Sequence, residues 1–461
     1  MYIKKRISAV LSAAMLSLAM LTGCGKLFYD PDSSALSDTT VSVTVMTETS
    51  SEQTAAGTES TGQTDVSGTA DTAASGSGAG TVSGTAVSGN PGGGGAVTNK
   101  TNRTAGNGGT AGQQTVTEAV TTTASQPQKK TPNEILSGMT LEQKAAQMML
   151  VGITDEKTAQ QAAADGVGAL CMFAKPYNGK TKEQVRTMHA AIQAKAAVPV
   201  IISADEEGGS INRLSINKNL RSSPFPTGKD LFTAGGWDAV ISGTREKSEL
   251  MLDLGLNVNL APVCDVPLDK SNYIYNRCFS LDAQETADYI RRVVTQMKRD
   301  GLGSVLKHFP GYGGSVDTHK QTGYDNRDYS AFESGDFLPF IAGIQAGADA
   351  VMVSHNIVKC MDDKNPASLS PAVHQILRST LGFNGVVISD DLGMNAITNF
   401  TGGKNPAVAA VQAGNDLVAF ADYKKSVAAI VSAVNSGQIP QSQIDTSVLR
   451  ILRWKQSLGL L

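Results

Sequence analysis

The sequence predicts an α/β fold for residues 131–461 of the 461-residue chain, namely a closed (β/α)₈ barrel of the TIM type. Three observations support this prediction. Eight short apolar runs follow one another, segments of helical periodicity separate most of them, and polar residues collect directly after them. Continuous apolar strands that alternate with helices are typical of a buried parallel sheet, and eight such units in roughly 330 residues fit a closed barrel. An open doubly wound sheet is the alternative, but no Gly-x-Gly-x-x-Gly motif follows the first run.

Local patterns predict the individual elements. Residues 140–143, Thr-Leu-Glu-Gln, form a capping-box sequence that opens an apolar helix before the first strand. Stretches such as 283–300 and 331–346 carry apolar residues at the 3.6-residue spacing of helices. The eight predicted strands are residues 147–152, 167–173, 199–203, 257–262, 304–308, 350–354, 385–389 and 416–420.

The first 24 residues resemble the signal of a bacterial lipoprotein. Three basic residues at 4–6 precede an apolar stretch, 7–21, that is too short for a comfortable membrane span. The Leu-Thr-Gly-Cys sequence that ends at Cys24 resembles a lipobox, which implies cleavage before this cysteine and attachment of lipid to its sulfur. An ordinary secretory signal with an incidental cysteine is the alternative. We therefore expect a signal peptide at 1–23 and an extracytoplasmic protein anchored to the membrane by lipid alone.

Residues 24–130 have the composition of a disordered linker. No Phe, Tyr or Trp occurs from Pro31 to Ser125, and Thr, Ser, Gly and Ala dominate. Such a chain cannot bury enough apolar surface to offset the entropy of ordering it. A single catalytic domain at 131–461 is then expected to follow the linker.

Charge and cysteine content exclude two classes of protein. The net charge of −3 argues against a basic nucleic-acid-binding protein. Five cysteines in 461 residues are too few for a disulfide scaffold. The sequence does not predict an oligomeric state.

Polar side chains follow five of the eight predicted strands. In a barrel the carboxyl ends of all strands share one face, and the active site lies there. Asp and Gly also form ordinary turns after strands, but five charged or His-bearing strand ends favour a site. The residues concerned are Asp205 to Glu207 after the third strand, Asp265 and Arg277 after the fourth, Lys307 and His308 with Asp317 and His319 after the fifth, His355 after the sixth, and Asp390 and Asp391 after the seventh.

Three of these segments resemble motifs of glycoside hydrolase family 3, in particular its bacterial β-N-acetylglucosaminidase branch. Asp205–Arg213 resembles Asp-Gln-Glu-Gly-Gly-Arg-Val-Gln-Arg, and Ser389–Leu392 resembles the nucleophile segment Ser-Asp-Asp-Leu. Lys307–His319 resembles Lys-His-Phe-Pro-Gly-His-Gly followed by Asp-Ser/Thr-His. The chain departs at Ser210 and Tyr312, where the family commonly has Arg and His. These changes leave the expected catalytic groups in place.

The resemblance implies a retaining mechanism, which needs a carboxylate nucleophile and a proton donor. Asp390 is the expected nucleophile, and Asp391 is its local rival. The branch is implied to use a His oriented by an Asp as its acid and base, which here are His319 and Asp317. Residues two apart in an extended loop point to the same side, so this pair can meet.

The expected activity is exo-hydrolysis of terminal N-acetyl-β-glucosaminides, as in cell-wall peptidoglycan fragments. No cofactor and no metal are expected, because the glycosidase motif accounts for His308 and His319. Contact with the sugar and core packing are equally expected for His355, whereas His189 and His374 are expected to be structural. The expected substrate-binding residues are Asp205, Arg213, Arg277, Lys307 and His308.

Three other functions stay open at this point. They are a family 3 β-glucosidase, a phosphorylase that uses the His as its acid, and a non-enzymatic solute-binding lipoprotein. The last of these would need two hinged lobes instead of eight βα units. Turnover of an aryl N-acetyl-β-glucosaminide, with and without phosphate, distinguishes all of them.

Overall fold

A computed structural model describes residues 129–314, 317–318 and 320–461 of the chain. The predicted signal peptide, Cys24, nearly all of the predicted linker and His319 lie outside the described residues, so predictions about them stay predictions. The same holds for the proposed domain boundaries. No helix in the described part of the chain is both long and apolar enough to cross a bilayer.

Eight parallel strands form a barrel in the order β10-β1-β2-β3-β4-β5-β7-β9. The first and last strands of this order meet where Leu417 pairs with Ile388, and the Ser389 amide donates to the Leu417 carbonyl at 3.0 Å. This contact nearly closes the sheet, so the predicted barrel is confirmed and the open sheet is wrong. The strands are β1 (Met149–Ile153), β2 (Ala169–Met172), β3 (Ile201–Ala204), β4 (Val258–Asn259), β5 (Gly303–Phe309), β7 (Ala350–Val353), β9 (Val386–Ser389) and β10 (Val418–Ala419).

Helices cover the outside of the barrel, and side-chain caps start many of them. The capping box of Thr140 and Gln143 is present, and Asp282 caps the helix that the sequence predicts at 283–300. That helix buries one apolar stripe against its neighbours, as expected for an amphipathic helix. The helices are α1 (Pro132–Ser137), α2 (Leu141–Gln147), α3 (Glu156–Ala164), α4 (Lys182–Gln193), α5 (Gly228–Asp253), α6 (Ala283–Asp300), α7 (Tyr329–Ala331), α8 (Phe337–Gln345), α9 (Pro371–Gln375), α10 (Asn395–Phe400), α11 (Ala407–Ala413), α12 (Tyr423–Asn435) and α13 (Gln441–Ser457).

Two elements differ from the sequence prediction. The single helix predicted over 331–346 is interrupted by a π-helical turn at Phe332–Asp336, between α7 and α8. Pro339 has no amide hydrogen to donate to the carbonyl four residues earlier, which disfavours a regular α-helix there. A separate two-stranded parallel sheet, β6 (Tyr324–Asp325) with β8 (Ile357–Val358), was not predicted. It joins the segments that follow β5 and β7, both at the carboxyl end of the barrel.

The opposite face of the barrel holds a buried lysine. Lys455 of α13 is fully buried, and its Nζ donates to Oε1 of Gln147 at 2.7 Å. Gln147 is the last residue of α2, two positions before β1, and donates in turn to the Gly166 carbonyl, so this contact belongs to the face where the strands begin. Burial lowers the pKa of Lys455 to about 7.

Candidate active site

The carboxyl ends of the strands bring the predicted substrate-binding residues together. Asp205 follows β3, and Lys307 and His308 lie at the end of β5. Arg213 and Arg277 come from the loops after β3 and β4. Salt bridges and hydrogen bonds connect all five of these side chains into one network, either directly or through Glu207.

Lys307 lies at the centre of this network. Its Nζ is 2.7 Å from Oδ1 of Asp205 and 2.6 Å from Oε1 of Glu207, and the side chain is almost fully buried. Burial by itself lowers the pKa of Lys307, but the Asp205 and Glu207 carboxylates raise it above its ordinary value. The ammonium group therefore stays charged and can donate hydrogen bonds inside the site.

Glu207 is a site residue to which the sequence analysis assigned no role. Arg277 donates to it from Nε at 2.9 Å and from Nη2 at 2.8 Å, in the forked geometry of a strong carboxylate pair. Burial raises the pKa of Glu207, but Arg277 and Lys307 together lower it well below its usual range. Glu207 is therefore ionised and holds two cations in place, which makes it unsuited to donate a proton.

His308 uses both ring nitrogens within the protein. Its Nδ1 is 2.7 Å from Oδ2 of Asp265, and its Nε2 is 3.2 Å from Nη2 of Arg277. Because an arginine can only donate, the hydrogen-bond network assigns Nε2 as acceptor and places the proton on Nδ1. His308 thus links Asp265 to Arg277, and Asp265 is a second residue to which the sequence analysis assigned no role.

Glu206 organises the loop after β3. Its buried carboxylate accepts the backbone amides of Arg213, Leu214 and Ser215 at 2.7, 2.8 and 3.1 Å. These bonds bring Arg213 back to the strand end, where its Nη2 lies 3.5 Å from Oδ2 of Asp205. Glu206 therefore serves as an acceptor that positions the loop.

Asp390 is the first residue after β9 and is half-buried. Its Oδ1 accepts the Asp391 amide at 2.8 Å, and its Oδ2 lies 3.5 Å from the Tyr312 hydroxyl. Oδ1 of the rival, Asp391, accepts the Gly393 amide at 2.7 Å within its own turn. Asp390 thus lies beside Tyr312 at the strand end and Asp391 caps the turn that follows, while the assignment of Asp390 as nucleophile stays a prediction.

The predicted acid–base pair is only partly described. Asp317 is half-buried, and its Oδ2 lies 3.3 Å from Nζ of Lys320. Farther along the same segment, the Arg327 guanidinium pairs with the buried carboxylates of Asp325 and Asp336, at 2.7 Å in each case. The pairing of Asp317 with His319 stays a prediction, because His319 lies outside the described residues.

The other histidines have buried structural contacts. Nδ1 of His355 is 2.7 Å from Oγ of Ser368 and its Nε2 is 2.8 Å from the Asp391 carbonyl, which favours a packing role beside the Asp390–Asp391 turn. His189 and His374 are buried, and burial lowers the pKa of His189 to about 4. Among the described residues, no group of three ligating side chains could hold a metal ion.

An aromatic pair follows two of the strands outside the charged network. Phe173 follows β2 and Phe420 follows β10, and their half-buried rings lie 5.8 Å apart. The Arg213 guanidinium lies 5.8 Å from the centre of the Phe173 ring. Phe420 has a φ of 56°, a left-handed conformation that is uncommon for a bulky residue. The strand ends from β3 to β9 thus form a charged arc at the carboxyl face, and the Phe173–Phe420 pair lies outside this arc.

Comparisons with known proteins agree with this geometry. The profile of the glycosyl hydrolase family 3 N-terminal domain matches residues 140–454. The chain is 34% identical over 282 residues to a β-hexosaminidase of Xanthomonas oryzae pv. oryzae, which covers 59% of this chain and 82% of the relative. It is 36% identical over 284 residues to a β-hexosaminidase of Stenotrophomonas maltophilia, with coverages of 59% and 82%.

Solved structures resemble the barrel as well. A glycoside hydrolase family 3 β-N-acetylglucosaminidase from Paenibacillus sp. matches with a TM-score of 0.66 and 31% identity. That match covers 70% of this chain but only 63% of the Paenibacillus chain. LpqI of M. tuberculosis matches with a TM-score of 0.65 and 28% identity, over 71% of this chain and 96% of LpqI.

Proposed function

The chain belongs to glycosyl hydrolase family 3 and is a glycoside hydrolase, and from this premise we propose that it is a retaining exo-β-N-acetylglucosaminidase. One observation carries the proposal. Asp390 and the Asp205–Lys307 pair converge on one face of a barrel whose sequence is 34% identical to a β-hexosaminidase. The alternative of a non-enzymatic solute-binding lipoprotein does not fit a glycoside hydrolase. The proposed substrate is a glycan that ends in N-acetyl-β-glucosamine.

In the proposed first step, a carboxylate oxygen of Asp390 bonds to the anomeric carbon while the bond from that carbon to the leaving oxygen breaks. His319 transfers its proton to the leaving oxygen, so the aglycone departs as a neutral alcohol. Asp317 would hold the ring of His319 and stabilise its charged form. The backbone amide of Asp391 donates to Oδ1 of Asp390, which limits rotation of the attacking group.

In the proposed second step, water attacks the anomeric carbon of the glycosyl-enzyme. Neutral His319 accepts a proton from this water, the bond to Asp390 breaks, and the carboxylate is regenerated. Two displacements at the same carbon retain the β configuration of the sugar. His319 is protonated again, so each turnover restores the starting state.

The charged arc suits the binding of sugar hydroxyls. Each carboxylate oxygen of Asp205 has more than one lone pair, so it can accept a sugar hydroxyl while Lys307 and Arg213 remain bound. Lys307 and Arg277 are donors that Glu207 holds in position. Because both ring nitrogens of His308 contact protein groups, this residue would act mainly by orienting Arg277.

The test compares aryl N-acetyl-β-glucosaminide with aryl β-glucoside, each with and without phosphate. We expect fast release of N-acetylglucosamine that is independent of phosphate and absent in Asp390→Ala. Preference for the glucoside would favour a β-glucosidase, and formation of a sugar 1-phosphate would favour a phosphorylase. Turnover that survives in Asp390→Ala would contradict the proposed site.

We also propose that the protein acts outside the cytoplasm on peptidoglycan fragments, anchored through lipid on Cys24. The lipobox-like sequence and the aromatic-free linker support this proposal. Labelling cells with a fatty-acid analogue should mark the wild-type protein, whereas Cys24→Ala should be unlabelled and should leave the membrane fraction. A chain that starts at Thr131 should retain wild-type kinetics, and a collapse of activity would show that the barrel needs the linker.

A further inference from the structure

The hydroxyl of Tyr312 lies between the two catalytic segments. Tyr312 stands in the motif after β5, where the family commonly has His, and only 2% of its surface is exposed. Its backbone amide donates to Oδ1 of Asp265 at 2.8 Å. Its ring packs between His308 and Tyr273, with ring centres 5.1 and 5.8 Å away. The phenol is therefore held in one orientation by contacts along its whole length.

Three groups surround the Tyr312 hydroxyl oxygen. Oγ1 of Thr318 is 2.8 Å away, Oδ2 of Asp390 is 3.5 Å away, and the backbone amide of His355 donates to the oxygen at 3.2 Å. Thr318 is buried and is the middle residue of the Asp-Thr-His sequence. The hydroxyl thus connects the nucleophile, the segment that carries Asp317 and the end of β7.

Donor and acceptor rules fix the roles of two of the three partners of the Tyr312 hydroxyl. An ionised Asp390 can only accept, and the His355 amide can only donate. Either hydroxyl can donate in the Tyr312–Thr318 pair, and in the arrangement in which Thr318 donates, the phenolic hydrogen points to Asp390. Burial and the nearby charge of Asp390 raise the pKa of Tyr312 well above its ordinary value, so the phenol keeps this hydrogen throughout the working range.

We propose that Tyr312 is a positioning residue for the nucleophile: its hydroxyl donates to Oδ2 of Asp390, orients this carboxylate and ties it to the acid–base segment through Thr318. The inference rests on the proposed role of Asp390. A hydrogen bond to the ionised form favours that form, so the Tyr312 hydroxyl keeps Asp390 ionised at lower pH. Loss of the hydroxyl should therefore change the pH dependence of catalysis as well as its rate.

The test is the pH profile of kcat/KM for an aryl N-acetyl-β-glucosaminide, measured for Tyr312→Phe and wild type. We expect the acidic limb to move to higher pH and kcat to fall roughly 10-fold or more, with KM changed much less. Tyr273→Phe is the matched control, because it removes a hydroxyl from the adjacent ring. Its acidic limb should coincide with that of wild type.

Thr318→Val provides a second measurement, because it leaves the Tyr312 hydroxyl in place and removes only the Thr318 hydroxyl that is hydrogen-bonded to it. We expect its acidic limb to move in the same direction by a smaller amount, and this variant alone carries the test if Tyr312→Phe does not fold. An acidic limb that stays in place in the variants that fold would overturn the inference. That outcome differs from failure of the proposed function, in which Asp390→Ala would retain turnover.

Discussion

Two buried lysines at opposite faces of the barrel differ in almost everything except burial. Lys307, at the carboxyl ends of the strands, contacts two carboxylates, and its pKa is raised. Lys455, where the strands begin, contacts the neutral side chain of Gln147, and burial lowers its pKa to about 7. One face of the barrel therefore holds a charge ready for a ligand, whereas the other tolerates an amine that is easily neutralised.

The difference indicates how the two faces divide their tasks. At the upper face, formed by the carboxyl ends of the strands, the Lys307 ammonium is paired with the carboxylates of Asp205 and Glu207. These groups still have hydrogen-bonding capacity for a sugar. At the lower face, where the strands begin, the buried nitrogen of Lys455 donates to a neutral side chain instead of a carboxylate. This agrees with the general tendency of barrels to place activity at the carboxyl ends of strands and stability at the other end. Four variants test this division, from the largest expected effect to the smallest.

Asp390→Ala should produce the largest loss at the upper face. Removal of a nucleophile that acts covalently is expected to lower kcat by roughly 10⁴-fold or more, with an unchanged melting temperature. Steady-state kinetics and circular dichroism measure the two effects. Asp391→Ala is the matched control; if it abolished activity while Asp390→Ala did not, the nucleophile would be Asp391.

His319→Ala should separate good leaving groups from poor ones. General acid catalysis is worth roughly 10²- to 10⁴-fold when the leaving group is poor, whereas a nitrophenolate needs little protonation. The variant should therefore lose far more activity on a disaccharide than in initial glycosylation by a nitrophenyl substrate, and azide should partly restore turnover. Asp317→Ala should behave as a weaker version. Equal losses on both substrates without azide rescue would make His319 a binding or structural residue.

Glu207→Gln should weaken the upper face without removing a reacting group. The change leaves Lys307 and Arg277 without their shared countercharge, and misplacement of such groups is expected to lower kcat/KM by about 10²-fold. Breaking a buried ion pair should also lower the free energy of unfolding by about 3–5 kcal/mol. Glu246→Gln is the control, because its exposed pair with Arg221 should contribute under about 1 kcal/mol. Equal effects of the two variants would contradict the assigned role of Glu207.

Lys455→Met should have the smallest effect on activity and a visible effect on stability. The folded state favours neutral Lys455, whereas the unfolded chain keeps the amine charged up to its ordinary pKa near 10.5. The free energy of unfolding of the wild type should therefore rise with pH above about 7, by up to about 1.4 kcal/mol per pH unit from this group. Denaturation between pH 7 and 10 should show a smaller rise for the variant, with unchanged kcat/KM. Parallel curves would contradict the depressed pKa.

The sequence predicted the parts of the molecule that depend on local pattern. The eight strands, the capping box of α2, the helix α6 and the polar residues after β3, β5 and β9 all follow from local pattern and position. The regular part of β4 is shorter than the predicted 257–262, although the Leu260 amide still donates to the Ala204 carbonyl and the Val305 amide to the Ala261 carbonyl. Periodicity identifies an element, but it says less about where hydrogen bonding in that element stops.

Contacts between loops could not be predicted from the sequence. Glu207 was visible as part of an Asp-Glu-Glu run, but its bond to Arg277 joins residues 70 positions apart. The approach of Tyr312 to Asp390 spans 78 positions, and the left-handed conformation of Phe420 has no local sequence signal. These features depend on which segments meet above the barrel. A single sequence does not contain that information in any pattern that periodicity can detect.

The carboxylate of Glu206 has a consequence for how this protein can evolve. It fastens the returning end of the loop at Arg213, so the short turn Gly208–Ile211 is enclosed by a bond that does not depend on the sequence of the turn. Gly208 and Gly209 have φ values of 111° and 62° and must stay small, whereas Ser210 is exposed and free to vary. Substitution at Ser210 can therefore alter the rim of the active site, while the Glu206 carboxylate keeps Arg213 beside Asp205.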